Sequence, residues 1–246
     1  IRCFLLFFFY VFLFITIIMP SLMIIGTAHV IDLSSPLEGY IRDFEPTTVA
    51  LELDRERWFA LQTNAKSTNA PFFLKILSNI QKYLGEHFGS SPGSEMLVAG
   101  KVANSLGAEI KLIDKAIMPT IMGAWKNMPW IELWRMMKEG IFSLIGRSDN
   151  NFGNSMVSGD FSKELDEFSE HYPVTKFHLI DRRDTHMCKN LVKLFRHNPN
   201  SRIVAVVGEG HVDGMNSKLR SIKPKIVRLR DLLSRKNNTF SFTVKI

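Results

Sequence analysis

The chain has 246 residues, enough for one large domain with a sizeable core. Apolar residues make up 46% and charged residues 22%, a balance that excludes a wholly disordered chain. The net charge is +7, and the two cysteines, Cys3 and Cys188, occur in no Cys-x-x-Cys or finger-like Cys/His spacing, so neither a disulfide framework nor a structural zinc site is indicated.

Residues 1–18, IRCFLLFFFYVFLFITII, carry one charge, at Arg2, and are barely long enough to cross a bilayer. No small-residue cleavage site precedes Met19, so a secretory signal is not indicated. Two readings stand: an N-terminal membrane anchor, or sequence upstream of a start at Met19. The second is favoured, because the first strand is expected within a few residues of Met19. Residues 19–236 are then expected to form an α/β domain, with a C-terminal tail over 237–246.

SLMIIGTAHV, from Ser21, is apolar, partly β-branched and stopped at Gly26, the pattern of a short buried strand. SSPLEGYIRDFEP comes next with a helix signature: Ser35 as cap, Pro36 at the first helical position and Glu38 closing a capping box. Leu37, Tyr40, Ile41 and Phe44 make one apolar stripe, Pro46 ends the helix, and TVALEL supplies a second strand. A strand–helix–strand unit of this kind implies parallel strands and a right-handed crossover. GSEMLVAGKVANSLGAEIKLID, ending at Asp114, repeats the arrangement, with Ser94 as cap, Gly107 as terminator and EIKLID as the next strand.

APFFLKILSNIQKYL and MPWIELWRMMKEGIFSLI read as helices of an insertion over about residues 70–145, their Met and Trp residues expected to pack in a core or lid. GRSDNNFGNSMVSGD, residues 146–160, reads as a loop. In the later helix TKFHLIDRRDTHMCKNLVKLFRH, Phe177, Ile180, Asp184, Met187, Leu191 and Leu194 lie on one 3-4 stripe. Asp184 therefore lies inside an apolar face and needs an arginine, a histidine or a metal as partner. Strands RIVAVVG and KIVRL complete the set. The expected fold is α/β: a central, largely parallel sheet with mixed pairing left open, flanking helices and a helical insertion.

The stretch 218–236 holds eight basic residues against one acid. It reads as a solvated surface, with attraction to a membrane surface or to phosphate-bearing partners as the alternative. No aromatic residues are interleaved with these charges, so nucleic-acid binding has little support.

Ligands of open α/β sheets sit at the carboxyl ends of the strands. His29 comes after the first strand, Glu52, Asp54 and Arg57 after the second, Asp114 ends the third, and Glu209 and His211 come after the fourth. Both histidines stand in Gly-x-x-His-Val directly after an apolar run. Alone, such a histidine reads as a hydrogen-bonded core residue; two of them beside strand-end carboxylates leave that reading and a shared site evenly balanced.

GTAHV, VALELDRER, GSEM, LID, DRRDTHM and VVGEGHVDGM occur in the order seen in the TraB/PrgY family, related to the TIKI-type proteases, and this chain resembles that family from Met23 to Met215. The resemblance implies a site in which His29, Glu52 and His211 hold a divalent metal ion, with Arg57, Arg183 and Asp184 in support. Asp54, Asp114, Glu209 and Glu95 are further candidates. Manganese or cobalt is the usual metal of TIKI-type relatives; nitrogen and oxygen donors also admit iron or zinc. The implied activity is metal-dependent hydrolysis of a peptide or protein substrate. In it Glu52 is ligand or general base, Arg183 a clamp and Asp184 the group that orients Arg183. PrgY-like members dampen a peptide pheromone, by degrading or sequestering it, so a non-catalytic, peptide-sequestering or membrane-associated regulator is the alternative. Cytoplasmic and membrane-associated locations both remain open. The chain departs from the family pattern at Lys115 (usually Arg), Gly123 (usually Arg), Arg182 (usually Glu) and Glu209 (usually a small residue).

Overall fold

The computed structural model describes residues 21–28, 32–63, 93–144 and 162–243. The expected N-terminal segment 1–18, the first insertion helix, the loop 146–160 and His29 lie outside the described residues. Five strands, β1 (Ser21–Thr27), β2 (Thr48–Leu51), β3 (Glu109–Leu112), β4 (Arg202–Gly208) and β5 (Lys225–Val227), form one sheet in the order β3-β2-β4-β1-β5. Among the described residues every neighbouring pair of strands is parallel.

The near-continuous apolar runs of β1 and β4 reflect burial on both faces. Met23, Ile25, Val204 and Val206 point to one side and pack with Leu37, Ile41, Met96 and Leu232. Leu22, Ile24, Ala205 and Val207, one residue out of phase, point to the other and pack with Met187, Leu191, Val212 and Met215. Helices α1 (Ser34–Phe44), α3 (Ser94–Ser105) and α10 (Leu229–Thr243) thus cover one face; α8 (Arg182–His197) and α9 (Glu209–Lys218) cover the other. α3 and β3 fall inside the expected insertion yet are integral to the sheet. α10 continues past the expected domain end into the tail.

The start of α1 differs from expectation. Asp32 Oδ1 accepts from the Ser34 amide at 3.0 Å and from its hydroxyl at 2.7 Å, and Glu38 pairs with Arg42 at 2.7 Å instead of reaching back to a cap. A carboxylate two residues upstream outcompetes a serine hydroxyl as acceptor. The helix closes with Glu45 in the left-handed region, φ 49°, just before Pro46.

The helix after α6 (Ser162–His171) is also not the regular one expected. A short α7 (Pro173–Lys176) runs into a π-helical turn, Phe177–Asp181, and then into α8. Each wide turn takes in an extra residue, which rotates the N-terminal part of the helix by about 100° relative to the C-terminal part. Asp184, Met187 and Leu191 are accordingly buried as the stripe requires, while Phe177 is 52% exposed.

The described insertion consists of α4 (Ile117–Asn127) and α5 (Trp130–Leu144), and its tryptophans do not form a core: Trp125, Trp130 and Trp134 are 55%, 75% and 51% exposed. α2 (Arg55–Thr63), directly after the second strand, carries no apolar stripe in the sequence and was not anticipated. Among the described residues, no helix is long and apolar enough to cross a membrane.

A buried acid–base chain at the carboxyl edge of the sheet

Thr27 of β1 pairs with Gly208 of β4, and Leu51 of β2 with Val206, so these strands end along one edge of the sheet. Glu52 takes the next position. Its amide still bonds Val206 of β4 at 3.1 Å, and its side chain is 5% exposed. One carboxylate oxygen, Oε2, accepts from the Gly208 amide at 2.6 Å. The other, Oε1, accepts from Arg183 Nη2 and lies 3.2 Å from His211 Nε2.

Asp114, just beyond β3, binds the same arginine: Arg183 Nη2 donates to its Oδ2 at 2.6 Å and Nε to its Oδ1 at 3.1 Å. Arg57 Nη2 donates to Asp114 Oδ2 at 2.5 Å and Arg57 Nε to Asp54 Oδ2 at 2.9 Å. Asp54 also accepts from the Arg57 amide at 2.8 Å and the Ile117 amide at 3.1 Å, so one carboxylate caps the first turns of both α2 and α4. On the other side of Glu52, His211 Nδ1 is 2.6 Å from Asp184 Oδ1. The result is a continuous sequence of contacts: Asp184, His211, Glu52, Arg183, Asp114, Arg57, Asp54.

Four carboxylates here face two guanidinium groups, which leaves negative charge for an imidazolium to balance. Burial alone would push His211 down, but Glu52 and the Asp184 hydrogen bond outweigh it and lift the ring to about 9. Burial likewise opposes the charge of Arg183, and Glu52 and Asp114 more than restore it. For Asp54, burial is outweighed by the Arg57 amide, charge and side-chain bond, so its carboxyl titrates below the usual range.

The site therefore unites Glu52, Asp54, Arg57, Asp114, Arg183, Asp184 and His211. Asp184 serves a different neighbour from the one expected: it holds His211, while Asp114, Glu52 and the Leu179 carbonyl at 3.1 Å hold Arg183. Glu209 stands outside. It lies two positions before His211 on α9, about 200° around the helix. Its Oε2 accepts from the Leu229 amide at 2.9 Å and its Oε1 from Arg228 at 3.0 Å, so it ties α9 to the start of α10. Burial holds its carboxyl above the usual range despite these donors. Glu95 is buried in the first turn of α3, and none of the bonds above runs through it.

Two contributors gave no signal in the sequence. Asn190 Nδ2 donates to the Ile113 carbonyl at 2.9 Å, steadying the turn that presents Asp114. His178, in the π-helical turn, is 7% exposed with its Nδ1 3.4 Å from Arg182 Nη1. A β-carbon on Gly123 would lie 3.4 Å from the same atom. Burial, Arg182 and Lys115 push His178 below its ordinary value. Lys115, Gly123 and Arg182 thus all bear on this one ring.

The donor set fits a metal ion in part. Asp184 on Nδ1 fixes the ring and directs Nε2 to Glu52, the carboxylate–histidine pairing that ligand histidines use. The 3.2 Å between Nε2 and Oε1 suits two neighbouring ligands of one ion, with the Nε2 proton as the group displaced. Among the described residues no group of three or more His, Cys, Asp or Glu side chains is arranged to hold a metal. His29, the third implied donor, is not among them.

The sequence model of the TraB/PrgY/gumN family matches residues 19–225. The chain is similar to a protein of Methanocaldococcus jannaschii named "Uncharacterized protein MJ1365", 37% identical over 219 residues that cover 81% of this chain and 53% of that protein. It thus spans about half the length of the curated relative it matches. Among solved structures, ChaN of Campylobacter jejuni, described with cofacial heme binding, aligns over 87% of this chain and 86% of its own with a TM-score of 0.37 and 14% identity.

Proposed function

The chain belongs to the TraB/PrgY/gumN family, and on that premise we propose that the buried acid–base chain is the site of a metal-dependent hydrolase acting on a peptide signal. The observation that carries the reading is the orientation of His211, with Nδ1 held by Asp184 and Nε2 turned to Glu52.

His211 Nε2, Glu52 Oε1 and His29 would hold the ion, with manganese, cobalt, iron and zinc all compatible with such donors. When bound, the ion supplies Lewis acidity toward the scissile carbonyl and lowers the pKa of a water. Glu52, its second oxygen fixed by the Gly208 amide, would serve either as that ligand or as the general base of the site. Arg183, fixed through two carboxylates, places a cation beside the negative charge that develops on the carbonyl oxygen. Arg57 and Asp54 position Asp114, and through it Arg183.

One observation favours the second reading, a peptide-sequestering protein. Both oxygens of Glu52 are already engaged, one by Arg183 and one by Gly208, and such a closed ion pair has no need of a metal. Elemental analysis of the purified full chain, together with turnover on a peptide library, separates the two. The hydrolase reading expects a stoichiometric divalent ion and turnover abolished by Glu52→Gln and by His29→Ala with the circular dichroism spectrum unchanged. Metal-free protein that binds peptides without cleaving them would establish sequestration in its place.

A further inference from the structure

A group of positive charges stands beside the acid–base chain. His178, Arg182 and His186 follow at steps of four, and His178 Nδ1 lies 3.4 Å from Arg182 Nη1, so successive members meet on one side of the helix. Asn190, the next step of four, donates to the Ile113 carbonyl at 2.9 Å, which turns that side toward the end of β3. Lys115 stands there, with its amide bonded to Asp114 Oδ1 at 2.7 Å. Its charge reaches both rings. Burial, Arg182 and Lys115 hold His178 below its ordinary value; burial and Lys115 do the same to His186, opposed by Asp114 and helped by Lys193 and Lys189. None of these four side chains has an ion pair with an acid among the described residues. The acids of 114–127 and 177–193 are Asp114, Asp181 and Asp184. Asp114 is bound by Arg57 and Arg183, Asp181 pairs with Lys176 at 3.0 Å, and Asp184 holds His211. α4 packs on the π-helical turn and brings Gly123 to the His178 ring, so residue 123 places no side chain over Nδ1.

Like charges at this spacing repel, and an anion held among them reverses the sign of each contact. We propose that Lys115, His178, Arg182 and His186 bind a carboxylate group of the peptide, which makes the protein selective for acidic peptides. The guanidinium fork of Arg182 matches a carboxylate through paired N–H donors, the imidazole rings add single donors, and Lys115 supplies a compact charge. Lys115 directly follows Asp114 in the chain, so the carboxylate is held next to the acid–base chain. The inference rests on the reading that this protein takes a peptide, whether it cuts the peptide or only holds it.

The test uses the full chain and fluorescein-labelled peptide pools amidated at the C-terminus, read by stopped-flow anisotropy so that binding is seen before any cleavage. One pool carries Asp at its central position and the other Asn. The Asp pool is expected to bind at least about tenfold tighter. Lys115→Gln with Arg182→Gln should abolish that preference, with the unfolding midpoint unchanged or raised because two repelling charges are gone. Arg220→Gln, an exposed arginine outside the cluster, should leave the preference intact. If the double variant does not fold, Lys115→Gln alone should cut the preference at least about threefold. Equal binding of the two pools to the wild-type chain overturns the proposal and leaves the peptide reading standing; binding of neither pool overturns both. A preference that survives these variants places the carboxylate elsewhere and overturns the proposal. So does a phosphoserine pool bound more than about tenfold tighter than the Asp pool, which would make the cluster a phosphate site.

Discussion

Gly214 is bare where Asp184 needs room: a β-carbon there would fall 1.9 Å from Asp184 Oδ2. Alanine inside a helix ordinarily stabilises by about 1 kcal/mol relative to glycine. At this position the methyl must displace a carboxylate that is itself fixed to His211, and overpacking of that kind costs about 1–3 kcal/mol. Gly214→Ala is therefore expected to lower stability in urea unfolding, the reverse of the helix-propensity sign. Unchanged or raised stability would show that Asp184 is not confined there.

Asp184→Asn keeps the shape of the side chain but gives up the charge that holds His211. On the hydrolase reading, peptide turnover should fall about 10- to 100-fold, the usual loss when the carboxylate behind a ligand histidine is removed. Steady-state kinetics with the unfolding midpoint as control decides it; turnover equal to wild type would separate Asp184 from function.

Arg183 is the only described side chain that touches both Glu52 and Asp114. Arg183→Met leaves two buried carboxylates without that cation, and breaking a buried ion pair costs about 3–5 kcal/mol. Arg183→Lys restores the charge without the planar fork and should recover only part of the loss. Chemical unfolding of both variants checks the order.

Gly26 and Glu209 form a second close approach, with a β-carbon on Gly26 falling 2.0 Å from Glu209 Oε2. Gly26→Ala should destabilise strongly in the wild-type chain and less in a Glu209→Ala background. A double-mutant cycle reads this coupling directly, and additive effects would refute it.

His178 makes stability depend on pH. Its folded value lies below the ordinary 6.5, so above 6.5 the ring is neutral in both states and its contribution is complete. As pH falls, the unfolded chain takes up the proton first, and stability declines through the folded value. Acidification from about pH 7 to 5 should therefore remove the contribution of His178 while that of His211, shifted the other way, is completed; His178→Gln should make the variant lose less stability over that window than the wild-type chain in thermal or urea unfolding.

The sheet was legible because burial on both faces writes itself as unbroken apolar runs: β1, β2 and β4 each begin within a residue of the expected position. Asp184 was legible too, since a carboxylate inside an apolar stripe advertises a partner, though not which one. The partner could not be read, because His211 and Arg183 are both within reach only after α8 and α9 have packed. The π-helical turn left no mark either; the stripe from Phe177 to Leu194 reads as one regular helix until the widened turn swings Phe177 outward. Asp32 in place of Ser35 as the group that starts α1, and Glu209 as a tie between helices, turned on local competition for donors that spacing does not encode. The tryptophans of α4 and α5 are exposed where the core alternative needs them buried, for a simpler reason: apolar composition predicts burial only when a partner surface exists to bury it.

The position of β4 has a consequence for how the molecule comes into being. β1 finds no neighbour in β2, because β4, translated some 175 residues after β1, lies between them. A ribosome-bound chain must therefore carry β1 without β4 or β5 beside it until β4 has been made, open to aggregation or to chaperone capture. Assembly of the sheet waits for β4, and a nascent chain arrested before Arg202 should be sensitive to protease where a chain that includes β4 and β5 is not.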